Sequence, residues 1–157
     1  MIKIKLALAL LLATALVPSA APAHSHKKKG LEVVHPWTPA MLEASIANIP
    51  VYMTLKNSRR TGDRLVGAAS PLARAVDLIE PKDVGGITLP TQVAAFTIGP
   101  RATLELGSSG PRLLLREVTK QLHAYHSFKL TLVFEKAGRI VVDVMVEEGD
   151  APAPHKH

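Results

Sequence analysis

Phe128-Lys-Leu-Thr-Leu-Val-Phe-Glu-Lys-Ala-Gly-Arg-Ile-Val-Val-Asp-Val-Met-Val-Glu147 is the stretch that decides the fold. Phe128, Leu130, Leu132 and Phe134 alternate with Lys129, Thr131, Val133 and Glu135. After Lys136-Ala137-Gly138, Ile140, Val142, Val144 and Val146 alternate with Val141, Asp143 and Met145. Side chains on a strand point to opposite faces in turn, so this period of two predicts two strands with one apolar face each. Lys136-Ala137-Gly138 supplies the turn of a hairpin.

Working outward, the same grammar recurs. Short apolar runs punctuated by Pro and Gly predict strands at 31–35, 51–57, 64–69, 74–80, 92–98, 102–106 and 112–117, before the closing pair at 127–135 and 139–147. Helical periodicity is weak, with room for one turn near 71–75 or 118–122. Many short strands at this spacing predict an all-β chain, an antiparallel β-sandwich or Greek-key barrel. Such a fold offers rigid strands and variable end loops, and function is expected on the loops.

The N-terminus reads as an address. Lys3 and Lys5 precede the apolar run 6–17, Pro18 and Ser19 end it, and Ala21-Pro22-Ala23 offers a small-x-small cleavage site. Residues 1–23 are therefore expected to be a signal peptide directing the chain to the periplasm. No second apolar run of that length follows, so the mature form is not expected to be membrane-embedded. The remainder divides into a basic, His-bearing lead (24–30), a body (31–148) and a Pro/Ala/His tail (149–157).

The chain of 157 residues carries 19 Lys+Arg against 13 Asp+Glu, a formal charge of +6. Loss of Lys3 and Lys5 on cleavage lowers this to +4, and Lys27, Lys28 and Lys29 lie in the lead. The body is then near neutral. Arg59, Arg60 and Arg64 cluster at a predicted turn without interleaved aromatics, which points to a solvated turn and not to nucleic acid. The chain has no cysteine, which excludes disulfides, thiolate zinc sites and thiol catalysis together. No phosphate loop, nucleophile elbow or ordered triad is present, so an enzyme is not expected.

Metal chemistry falls to seven histidines. Cleavage after Ala23 would place His24-Ser25-His26 at the mature N-terminus. A free amine, two deprotonated amides and the His26 imidazole supply four nitrogens in a plane, the set copper(II) prefers. His24 adds a further imidazole. His155 and His157, beyond an Ala-Pro-Ala-Pro spacer, could assist; the plain alternative is two solvated tails. His123 and His126 flank Tyr125 in a loop; their spacing could bring two imidazoles together on a helical turn, but without a third ligand they read as surface or packed residues. His35, before Pro36-Trp37, reads as structural. Met53 belongs to an apolar strand, and Met41 lies in a loop.

Four segments carry a resemblance: Leu31-Glu-Val-Val-His-Pro-Trp37, Val51-Tyr-Met-Thr-Leu-Lys-Asn57, Asp63-Arg-Leu-Val-Gly-Ala-Ala-Ser-Pro71 and Leu130-Thr-Leu-Val-Phe-Glu-Lys-Ala-Gly138. In this order the chain resembles the PCu(A)C family of periplasmic copper chaperones. The resemblance implies a cupredoxin-like β-sandwich, copper as cargo, and cytochrome oxidase assembly proteins, Sco proteins among them, as partners. It also implies a ligand set spaced His, ten residues, Met, twenty-one residues, His, one residue, Met. Here Ile79, Pro90, Arg112 and Leu114 stand at those places. Ile, Pro and Leu cannot ligate, and Arg112 is a permanent cation with no lone pair to give. The core copper site is thus expected to be degenerate, leaving His24, His26, His155 and His157 as metal candidates. The alternative is a non-metal interaction module docking through an exposed patch of Ile79, Pro90 and Leu114, rimmed by Arg112.

Overall fold

A computed structural model describes residues 25–41 and 47–148. They form eleven strands and no helix: β1 Ser25–Lys28, β2 Leu31–Pro39, β3 Ala47–Asn57, β4 Asp63–Ala69, β5 Ala75–Val84, β6 Ile87–Val93, β7 Phe96–Ile98, β8 Thr103–Leu106, β9 Arg112–Val118, β10 Ser127–Phe134 and β11 Gly138–Glu147. The closing hairpin forms as its alternation requires. Leu130 pairs with Val142 and Leu132 with Ile140. Leu130, Leu132, Phe134, Ile140, Val142, Val144 and Val146 are all buried. Each such side chain contributes about 1.5–3 kcal/mol on leaving water, so a one-residue slip of register would be very costly. Gly138 takes φ +79 at the turn, where a side chain would be strained.

The strands run in the order β6-β5-β9-β3-β2-β11-β10-β4-β7, with β1 added to β2 and β8 to β3. β3 serves two sheets. Its first half pairs with β9, Val51 opposite Leu113, and its second half with β8, Leu55 opposite Leu104. The two sheets enclose one core that includes Val33, Val51, Leu55, Leu65, Phe96, Leu113 and Leu115. This is the cupredoxin-like sandwich expected, with one departure from a wholly antiparallel arrangement. β11 lies parallel to β2, Met145 opposite Trp37 and Glu147 opposite Pro39. The last strand returns beside one of the first, and only a crossover through the whole domain allows that pairing.

Two hairpins differ from the sequence expectation. Residues 25–28, read as part of a polar lead, form β1 and pair with β2, Lys28 opposite Leu31. Lys29 (φ +46) and Gly30 (φ +76) form the two-residue turn between them, with both residues in the left-handed region as such hairpins require. Lys-Gly is a weaker hairpin signal than Asn-Gly, and the lysine run shows no alternation. Residues 81–91 also continue the sheet. β5 and β6 join through Gly85-Gly86, Val84 opposite Ile87, and the expected strand 92–98 divides into the end of β6 and β7. Gly-Gly between two runs was the available signal.

Candidate functional site

The backbone brings the four positions of the resemblance to one region of sheet. Ile79 on β5 lies opposite Arg112 on β9 and Gln92 on β6. Leu114 lies opposite Asp77 and also Pro50, and Pro90 lies opposite Pro81. Paired residues, and residues two apart, share a face. Ile79, Arg112, Leu114 and Pro90 therefore occupy the face away from Leu78, Leu113 and Leu115, which are in the core. The neighbourhood exists; Ile79, Pro90, Arg112 and Leu114 in it are not metal donors.

The side chains instead fill and tie the site. Ile79 is only 7% exposed and Leu114 half-buried, whereas Pro90 is exposed. The expected contiguous exposed patch of Ile79, Pro90 and Leu114 is thus corrected, because Ile79 is packed away. Apolar exposure lies further along the same hairpin, at Val84, Ile87 and Leu89. The Arg112 guanidinium donates to the carbonyls of Gly110 (3.3 Å) and Ser108 (3.5 Å). It also stands close enough to Tyr52 to act on its phenol. Burial raises the Tyr52 pKa above its ordinary value, and the Arg112 charge opposes that rise without cancelling it. Tyr52 packs on Trp37 with ring centroids 4.9 Å apart, and Trp37 stacks on His35 at 6.3 Å. His35 Nε2 lies 2.6 Å from Glu147 Oε1, so His35 has the structural role expected of it.

His26 is on β1, not in a free tail. Its Nε2 accepts a hydrogen bond from the backbone N–H of Asp143 on β11, at 3.4 Å. A neutral imidazole accepting at Nε2 carries its proton on Nδ1. His24, His155 and His157 lie outside the described residues. His123 and His126 are exposed and meet edge to face with centroids 5.8 Å apart. Among the described residues no three His, Cys, Asp or Glu gather as a metal-holding group. Met53 is buried in the core as expected, and Met41 is half-buried against it.

Asp63 was not singled out as a functional residue, yet it organises one end of the sandwich. It is 2% exposed. It accepts hydrogen bonds from the backbone N–H groups of Arg64 (2.8 Å), Lys136 (2.9 Å) and Ala137 (3.0 Å), and from the Arg59 guanidinium. Burial pushes its pKa up, but the hydrogen bonds from Lys136, Arg64, Arg59 and Ala137 outweigh this and hold the carboxyl below its ordinary value. One carboxylate thereby joins the β3–β4 turn to the β10–β11 turn.

A family model described as LpqE-like, a lipoprotein family, matches residues 31–146. No curated protein matches the chain. Among solved structures, the copper-bound PCuAC domain from PmoF2 is 27% identical with a TM-score of 0.68, over 80% of this chain and 99% of that one. The apo form of DR1885 from Deinococcus radiodurans is 25% identical with a TM-score of 0.60, over 93% and 97%. Its CuI form is 28% identical with a TM-score of 0.61, over 81% and 83%. No helix among the described residues is long and apolar enough to cross a membrane.

Proposed function

The chain belongs to the LpqE-like (PCu(A)C) family, and from that premise we propose that it is a periplasmic, non-enzymatic copper-chaperone-like protein that holds copper through its histidine-bearing termini. The observation that carries this reading is the one at β5 and β9: Ile79 and Arg112 face each other where the family's spacing calls for two histidines. Neither can bind copper, while relatives of the same fold are named as copper-bound. Copper is cargo here, and the partners expected by resemblance are cytochrome oxidase assembly proteins.

In this reading the mature chain begins at His24, and the amine, the Ser25 and His26 amides and the His26 imidazole take Cu(II). His155 and His157 assist. The chemistry sets a competition. Closure of the chelate on the residue's own amide uses Nδ1, the nitrogen that carries the proton when Nε2 accepts from Asp143. The amides of Ser25 and His26 also alternate in the β1–β2 ladder, so one of them is a ladder donor. Copper loading would therefore lift the start of β1 from β2 and β11. A few backbone hydrogen bonds at about 0.5–1.5 kcal/mol each oppose it. Acid weakens the chelate, because its ligands must be deprotonated.

The experiment is twofold. Intact mass of the secreted protein establishes whether His24 is residue one. Titration of Cu(II) into the secreted protein and into its His24→Ala/His26→Ala/His155→Ala/His157→Ala variant then reads the site. Loss of tight binding in the variant supports the proposal; equally tight binding by both proteins refutes it.

The second reading, a non-metal interaction module, keeps one supporting observation. β6 is the end strand of its sheet, and Ile87 and Leu89 on it are 65% and 46% exposed. Capture of a periplasmic partner that is lost on Ile87→Lys/Leu89→Lys, in a protein that binds no copper, would favour it.

A further inference from the structure

Among the described residues an excess of positive charge collects at one end of the sandwich, which the net charge of the chain does not reveal. Four turns meet there. Ser58 donates from both its amide and its hydroxyl to Gly30 O, joining the β3–β4 turn to the β1–β2 turn. The Arg101 amide donates to Arg59 O, bringing in the β7–β8 turn. Lys136 Nζ donates to Gly62 O, bringing in the β10–β11 turn. Lys28 Nζ reaches Arg139 O across from β1.

The carboxylates of this end are already committed. Glu32 pairs with Lys27, Asp63 with Arg59 and Glu135 with Arg64. Glu105, the next carboxylate along β8, lies two residues further from the end than Thr103, the partner of Lys56. Lys29, Lys56, Arg60, Arg101, Lys136 and Arg139 are exposed, and among the described residues none is ion-paired. A shallow groove of about 280 Å³ runs between the β1–β2 turn and Lys56, with Lys27, Lys28, Lys29 and Ser58 in its walls.

We propose that this end is a docking face for an anionic phospholipid bilayer, held by charge and not by insertion. Unneutralised cations on several turns match a plane of headgroup phosphates, and each is worth about 1 kcal/mol near such a surface. A nucleic acid fits less well. No aromatic stands among these cations, while Trp37 packs with Tyr52 and Phe96 and Phe134 are buried, so no platform for stacked bases is offered. The family is described as one of lipoproteins, which work at a membrane surface, and charge on the folded domain offers a hold on such a surface. This inference stands apart from the copper reading.

The test uses the full chain and vesicles of phosphatidylcholine alone or with one quarter phosphatidylglycerol. The readout is the extra binding caused by phosphatidylglycerol, and its dependence on substitutions in the folded domain separates this face from the N-terminal segment, which carries Lys3 and Lys5. That increment is expected to collapse between about 50 and 300 mM salt, as screening shortens the reach of the cations. It is expected to fall at least tenfold in Lys29→Glu/Lys56→Glu/Arg60→Glu, given roughly fivefold per cation. Lys29→Gln/Lys56→Gln serves as a milder variant should the triple variant misfold, with the melting temperature as the check. No increment with phosphatidylglycerol, or an increment untouched by these substitutions, overturns the proposal. So does an oligonucleotide that binds at lower concentration than the vesicles.

Discussion

Ile79 and Arg112 face each other across the β5–β9 pair, with Leu114 two residues further on the same face. The backbone therefore still presents a place where side chains from two strands can meet. Substituting Ile79→His, Pro90→Met, Arg112→His and Leu114→Met is expected to confer Cu(I) binding that survives removal of the terminal histidines. A competition titration with a Cu(I)-selective chromophoric chelator reads it. Failure of a folded quadruple variant to bind Cu(I) would show that the family spacing has been laid on the wrong residues.

Asp63 is expected to be the most sensitive polar position of the fold. In Asp63→Asn one oxygen becomes an N–H₂ that faces backbone N–H donors, leaving buried groups unsatisfied. The expected cost is about 2–4 kcal/mol. Urea unfolding reads it as a lower midpoint with an unchanged slope.

The same carboxylate sets part of the acid limb. Its folded-state pKa is lowered, so its contribution to stability is full above the unfolded value of about 3.9. That contribution is lost as pH falls through the folded value. Wild-type stability is expected to decline below about pH 4, and Asp63→Asn to show a shallower decline over that range. Equal slopes for the two proteins from neutral pH down would assign the acid limb to other groups.

Gly30 holds φ +76, and an added Cβ would stand 2.7 Å from Arg59 Cγ. Gly30→Ala is expected to lose about 1–2 kcal/mol through backbone strain and displacement of the Arg59 stem. Thermal melting checks this; an unchanged melting temperature would mean that the β1–β2 turn relaxes freely.

If copper is held as proposed, it competes with β1 for His26. Hydrogen exchange of the Asp143 amide is expected to quicken when one equivalent of Cu(II) is added to the secreted protein, because its acceptor is withdrawn. His26→Ala should show fast exchange with or without copper. Unchanged protection in a copper-loaded wild type would place the metal elsewhere.

Much of the architecture was legible from local pattern. Leu130, Leu132 and Phe134 alternate with Lys129, Thr131, Val133 and Glu135, and burial follows that alternation residue by residue. The gaps have local causes as well. Lys29-Gly30 and Gly85-Gly86 make two-residue turns, but the first is flanked by lysines and the second by prolines opposite one another, Pro81 and Pro90. Neither flank carries a clear period of two. That Ile79, Pro90, Arg112 and Leu114 are not metal donors was also legible, since residue type alone decides whether a side chain has a lone pair to give.

Three things were decided only in three dimensions. Ile79 is buried although it stands on the face away from Leu78 and Leu113, on a strand held between β6 and β9. His26 is a strand residue, because the edge of β2 was open and β11 offered an amide. The cations of four separate turns share one end, because the strands that carry them run side by side and finish together. Periodicity and side-chain chemistry act within a few residues and can be read along the chain. Which edge stays open, which face is covered and which turns become neighbours depend on pairings between residues far apart in sequence, and only the closed sandwich determines them.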